Sequence, residues 1–228
     1  MLCLIEGAMA QTKNLAEKQQ MVDAVGKAYN TGAVQTFDER YEGVKGSPFL
    51  TEEWIPGKVR MNNGHVFDGV RLKYDLYRDE LIVKRQDGAE VIPDKQTIRS
   101  FVLLAPKRQF VRIGYLINYR KFPYNHFAEV LYQGKSTLLA VHRKKLIKAD
   151  YRGAYHADRP YDAFDAATTQ HYWVSAEGQV HELKPRRKSL RRTFGDHQAA
   201  VTTFIQENGI DLNRAEDLVQ LIQYYDQL

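Results

Sequence analysis

The chain has 228 residues, 43% of them apolar and only one of them cysteine. That suits one large or two small domains with a real core, and excludes an internal disulfide framework and any cysteine-based zinc site. The formal charge of +5 is unevenly spread: residues 1–106 hold 14 Lys+Arg against 15 Asp+Glu, residues 107–192 hold 18 against 7, and residues 193–228 hold 1 against 6. Such a basic middle either meets the acidic tail within the chain or faces an anionic partner.

The apolar start Met1-Leu2-Cys3-Leu4-Ile5 leads into Gly7-Ala8-Met9-Ala10. Ala8-x-Ala10 fits the small-residue rule for signal cleavage, so residues 1–10 read as the end of a secretory signal whose basic start lies upstream of Met1. The mature chain would then begin at Gln11 and be periplasmic or secreted; if Met1 is the true start and nothing is cleaved, it is cytoplasmic. No stretch nears the roughly 18–20 apolar residues of a membrane-spanning helix. In residues 11–36, Leu15, Met21, Val22, Val25 and Tyr29 have helical spacing, predicting a short amphipathic helix or a flexible segment.

Residues 37–183 read as an antiparallel β body. Phe37–Val44 predicts an opening strand, with Gly46–Leu50 as its loop. From Lys58 to Leu104 short alternating runs stop at turn signals: Asn62-Asn63-Gly64, Asp68-Gly69, Asp75, Gln86-Asp87-Gly88 and Pro93-Asp94. Asn-Gly and Asp-Gly supply the positive φ of tight turns, and alternation buries one face of a sheet. Phe101–Leu104 and Phe110–Ile117 are split by Ala105-Pro106-Lys107. Phe127–Tyr132 and Ser136–Val141 flank Gln133-Gly134-Lys135, and His171–Val174 faces Gln179–Leu183 across Ala176-Glu177-Gly178. Residues 150–170 have no clear period and read as a long irregular loop.

Residues 184–228 predict a helical hairpin packed on the β body. Ser189 begins a short turn carrying Leu190 and Phe194 that Gly195 stops. Asp196 caps a helix carrying Ala200, Val201, Phe204 and Ile205. Asn213 and Glu216 approximate a capping box before Leu218, Val219, Leu221, Ile222 and Tyr225. The fold class is α+β: a mainly antiparallel curved β-sheet of about eight to ten strands, or a partly closed barrel, with a C-terminal helical hairpin.

Candidate chemistry is sparse. No phosphate-binding glycine loop and no Gly-x-Ser-x-Gly elbow occurs. Asp158, Asp162 and Asp165 lie among Tyr155, Tyr161 and Phe164, a mixture that suits a sugar-binding loop or a pair of acid and base carboxylates; a solvated loop has the same composition. His171 and His181 sit on opposite arms of one hairpin with Tyr172 and Trp173 between them. A metal there would need one of the loop aspartates as a third ligand, and no metal or cofactor is assigned. Two basic groups, Arg143, Lys144 and Lys145 with Lys148 and Arg152, and Arg186, Arg187, Arg191 and Arg192 with Lys184 and Lys188, could meet phosphates or anionic lipid.

Tyr41-Glu42-Gly43-Val44-Lys45-Gly46-Ser47-Pro48-Phe49-Leu50 and Asp217-Leu218-Val219-Gln220-Leu221-Ile222-Gln223-Tyr224-Tyr225 resemble uncharacterised secreted or periplasmic proteins of Bacteroidota, as does the hairpin Tyr172–Leu183 with its basic Lys188-Ser189-Leu190 turn. The resemblance covers most of residues 37–228. It implies a β-rich body after a signal peptide and a helical tail, and no activity; a complete signal peptide is the feature this chain lacks. The expected function is a non-catalytic exported envelope protein that binds a partner, a lipid or another ligand. The alternatives are nucleic-acid binding by segments 143–152 and 184–192, and hydrolysis by the Asp158–Asp165 loop with His171 or His181.

Overall fold

The computed structural model describes residues 39–84, 88–115, 126–150, 160–184 and 193–228. The predicted signal remnant, the helix of residues 11–36 and the turn begun by Ser189 lie outside them. The fold is α+β: antiparallel strands followed by a C-terminal pair of helices. The chain divides into two compact units. The first runs to Lys107 and takes back Lys145–Asp165; the second holds Arg108–Lys144 and Ala166–Leu228.

In the first unit the strands are β1 (Ile55–Met61), β2 (Val66–Asp75), β3 (Glu80–Lys84), β4 (Glu90–Val91) and β5 (Ile98–Leu104), in the order β5-β1-β2-β3-β4. The sheet is open, because β5 and β4 are its two edges within the unit. Alternation works as predicted: Val59 and Met61 are buried while Lys58 and Arg60 are exposed. Inward residues of neighbouring strands build the core, in which Leu72, Ile98 and Phe101 are almost wholly buried and the Tyr74 and Phe101 rings meet edge-on at 5.3 Å. At Asn62-Asn63-Gly64 the chain turns as expected, with Gly64 at φ 89°.

Asp68-Gly69 corrects the prediction of a turn. Pairing passes from Gly57↔Val70 to Lys58↔Asp68, so Gly69 is an extra residue inside one continuous ten-residue strand. A glycine at positive φ serves a β-bulge as well as a turn, and Gly69 has φ 68°. Gly57, across from the bulge, is needed for lack of space: a Cβ there would lie 2.4 Å from Leu72 Cδ1 and 2.5 Å from the Val102 carbonyl oxygen. Gly57→Ala is expected to cost about 1–3 kcal/mol, because the backbone carbonyl cannot step aside; the denaturant midpoint measures it.

Two further expectations fail in this unit. The opening strand is absent from its described part: Glu39–Tyr41 forms a 3-10 turn, and the following segment pairs with strands only at the bridges Lys45↔Ala163 and Phe49↔Asp75. The long irregular loop contains structure too. Here β9 (Leu146–Ile147) pairs with β10 (Ala163–Phe164). Two-residue strands are too short to show a period.

The second unit holds β6 (Lys107–Arg112, beginning at the boundary), β7 (Phe127–Gln133), β8 (Thr137–Arg143), β11 (Thr168–Val174) and β12 (Val180–Leu183), in the order β12-β11-β8-β7-β6. This sheet is open as well. β11 begins three residues before the predicted His171, since Thr168–Gln170 pairs with Val141–Arg143. Two helices follow, α1 (Gln198–Glu207) and α2 (Ala215–Tyr225). They bury Val201, Leu218, Leu221 and Ile222 on Leu138, Trp173, Leu183 and Phe194. The opposite face of the sheet gathers Ile113, Ala128, Leu139 and Val141.

The predicted caps do not form. Asp196 lies inside a 3-10 turn, Gly195–His197, that feeds α1. Arg214 stands at the N-cap of α2 without a side-chain bond, while Asn213 turns back to Asp211. The far end of α2 is fastened instead. Asp226 accepts hydrogen bonds from the Ser136 amide (3.0 Å), the Ser136 hydroxyl (2.6 Å) and the Tyr132 hydroxyl (3.1 Å), tying the helix to the β7–β8 hairpin.

Candidate functional site

Two constellations stand out, one in each unit. In the first unit the β9–β10 pair is held on both sides. Lys45 donates its amide to the Asp162 carbonyl and accepts from the Phe164 amide, each at 2.9 Å. Asp162 accepts from the Ala149 amide at 2.7 Å and from Lys148 Nζ at 2.8 Å. The Lys148 hydrogen bond and the Ala149 amide hold its carboxyl below the ordinary range.

This frame presents aromatic rings. Phe164 meets Tyr41 at 5.2 Å and Tyr77 at 5.5 Å between ring centroids, both edge-on, and Tyr41 meets Phe49 at 6.4 Å. Lys45 Nζ lies 3.5 Å from the centroid of the Tyr161 ring. Below the rings, the wholly buried Asp75 accepts from the Tyr41 hydroxyl and from the amides of Tyr77 (2.8 Å) and Arg78 (2.9 Å). Burial pushes the Asp75 carboxyl up, against those hydrogen bonds, and burial together with Asp75 pushes the Tyr41 phenol up, so Tyr41 remains a donor. Tyr77 (41% exposed) and Tyr161 (37%) are the exposed aromatic residues among those whose burial is described.

In the second unit, Glu129 on β7 is buried and ion-paired. Arg108 Nε and Nη2 reach its two oxygens at 2.6 Å each, and His142 Nε2 lies 2.7 Å from Oε2. Burial by itself would raise the Glu129 carboxyl, but Arg108 and His142 outweigh it and hold it at about 2. His142 Nδ1 lies 2.9 Å from the hydroxyl of the exposed Thr169. His171 is on the same face, two residues along β11, and is lowered mainly by burial and then by the charge of His142.

The predicted site residues divide accordingly. Asp162 belongs to the first constellation. Asp165 follows it, exposed, with its amide on the Lys145 carbonyl at 2.9 Å. Asp158, Arg186, Arg187, Arg191 and Arg192 lie outside the described residues. His171 pairs with Leu183, and His181 with Trp173, so the two histidines are diagonal rather than opposite. The His181 ring lies against the Trp173 indole, tilted, at 5.3 Å between ring centroids; burial lowers its imidazole. Tyr172 points to the other face, among Leu139 and Val141. Arg143 closes β8 with its Nε buried and without a partner among the described residues, Lys144 is half-buried and Lys145 exposed. Among the described residues, no group of three His, Cys, Asp or Glu could hold a metal, and no helix is long and apolar enough to cross a membrane.

Sequence reasoning missed Tyr41, Lys45 and Tyr77 in the first constellation and Arg108, Glu129, His142 and Thr169 in the second. One signal was available: Glu129 is the only acid in the apolar run Phe127-Ala128-Glu129-Val130-Leu131-Tyr132, and a charge at a buried strand position needs a partner. No protein-family model, no curated protein and no solved structure matches this chain.

Proposed function

We propose that this protein is an exported ligand-binding protein of the cell envelope, and that the patch of Tyr77, Tyr161 and Phe164, rimmed by Lys45, Lys148 and Asp162, takes a saccharide by shape and charge. The observation that carries the reading is the exposure of Tyr77 and Tyr161 over a braced frame. Exposed rings on a rigid support lose little entropy on binding, and an aromatic face suits the apolar C–H face of a pyranose. Asp162 and Lys148 supply an acceptor and a donor for ring hydroxyls beside it. Support for export comes from Ala8-x-Ala10 and from the resemblance to secreted proteins.

Calorimetric titration with a panel of soluble oligosaccharides tests the site. Tyr77→Ala with Tyr161→Ala should weaken binding at least about tenfold while leaving the melting temperature nearly unchanged, because exposed substitutions usually stay within about 0.5 kcal/mol. Binding that survives the double substitution, or no binding across the panel, rejects the site. Export is tested by sequencing the N-terminus of the protein from its native host: Gln11 is expected, and an intact Met1 rejects export.

A further inference from the structure

The second constellation orders a hydroxyl, an imidazole and a carboxylate in series. Glu129 Oε2 lies 2.7 Å from His142 Nε2, and His142 Nδ1 lies 2.9 Å from Thr169 Oγ1. An ionised carboxylate can only accept, so Nε2 carries the imidazole proton. Neutral His142 then has its lone pair on Nδ1, facing the Thr169 hydroxyl, which becomes the donor. Arg108 fixes the carboxylate through both oxygens, and the Phe110 ring stands edge-on to the imidazole at 6.4 Å between centroids. Cross-strand pairing makes the arrangement rigid: Phe110↔Glu129, Glu129↔Ala140 and His142↔Thr169 put all of these groups on one face. Thr169 is exposed, whereas the His142 and Glu129 side chains are only 13% and 10% exposed. A buried base behind an exposed hydroxyl is the arrangement that activates a weak nucleophile.

We infer that Thr169 is a nucleophile for acyl transfer from carboxylic esters, with His142 as its base and with Glu129 and Arg108 as positioning residues. The inference goes beyond the saccharide reading and is independent of it. Thr169 Oγ1 attacks the ester carbonyl carbon while its proton passes to His142 Nδ1. The ester C–O bond breaks, and the leaving alkoxide takes that proton from His142 to depart as an alcohol. His142 then deprotonates a water that attacks the acyl-Thr169 ester. The acid is released, and the proton held by His142 returns to the hydroxyl of Thr169.

The test uses the full chain and a fluorophosphonate probe, which forms a P–O bond to an activated hydroxyl and expels fluoride. Peptide mass spectrometry should place the adduct on Thr169. An unlabelled protein, or an adduct elsewhere, overturns the inference whatever the variants do. Thr169→Ala should abolish labelling; Thr169→Ser, a less hindered hydroxyl, should retain it. His142→Gln should slow it about a hundredfold or more, the scale of a lost general base; an unchanged rate overturns the inference.

Glu129→Gln tests the positioning role. Its amide can turn an N–H toward Nε2, which moves the imidazole proton to Nδ1 and leaves Thr169 without an acceptor. The labelling rate should fall at neutral pH, and its acid limb should shift relative to the wild type. Among the described residues, the charged and titratable groups facing His142 are Arg108 on β6, Glu129 on β7 and His171 on β11. A purely structural Glu129 would change stability and leave the position of that limb where it is.

Discussion

Trp173→Ala is expected to destabilise the second unit by about 3–5 kcal/mol, the range for truncating a large buried aromatic residue. Trp173 is 2% exposed, and its indole touches Phe194 at 5.2 Å and Tyr225 at 4.9 Å, so it joins the sheet to both the entry and the end of the helical pair. A cavity there would loosen the seat of α2 on β8 and β11. Trp173→Phe should cost far less. The indole N–H is buried without a hydrogen-bond partner among the described residues, and an orphan donor already costs about 1–3 kcal/mol; phenylalanine removes the donor while keeping much of the ring. Denaturant midpoints of the three proteins decide. If the alanine and phenylalanine variants lose equal stability, the contact is not a packing contact of the kind described.

The second large effect lies at Glu129. Removing one member of a buried pair leaves the other charge uncompensated, so Glu129→Gln should cost about 3 kcal/mol at neutral pH, and Arg108 Nη2 would then stand 3.2 Å from His142 Nε2 with no carboxylate between them. The carboxyl is held at about 2, below its ordinary value of 4.5. Its depressed value stabilises the fold above pH 4.5, and that contribution disappears as the pH falls from about 4.5 to about 2, where the folded protein must take up the proton that the unfolded chain already holds. The difference in stability between wild type and Glu129→Gln should therefore shrink across that window. Chemical denaturation at a series of pH values measures it; a difference that is flat down to pH 2 would exclude the ionic role of Glu129.

Strand alternation and turn chemistry were legible because both are local. Asn62-Asn63-Gly64, Gln133-Gly134-Lys135 and Ala176-Glu177-Gly178 turn where their residues allow it, and the strands between them follow from a period of two. Locality is also where the reading failed. Asp68-Gly69 satisfies a bulge and a turn equally, and only the partner strand decides between them. Caps at Asp196 and Asn213 were plausible by composition, yet α2 is secured by Asp226 reaching residues some ninety positions earlier in the chain. The C-terminal helices themselves were readable, because the stripe Leu218, Leu221 and Ile222 repeats every three to four residues, matching the helical turn.

The candidate sites show the same division more sharply. Tyr161, Asp162 and Phe164 could be singled out from their loop, but Lys45 joins them through a bridge across more than a hundred residues and Tyr77 through a ring contact with Phe164. Arg108, Glu129, His142 and Thr169 each look ordinary on their own strands. They become one hydrogen-bonded series only because the register of four neighbouring strands sets them on one face. By itself, then, the sequence determined the class of fold, most turns, the helical pair and the uneven charge, since each depends on neighbours within about ten residues. Tertiary structure decided the bulge, the fastening of α2 and both constellations, since strand register is a property of pairs of segments and not of any single one.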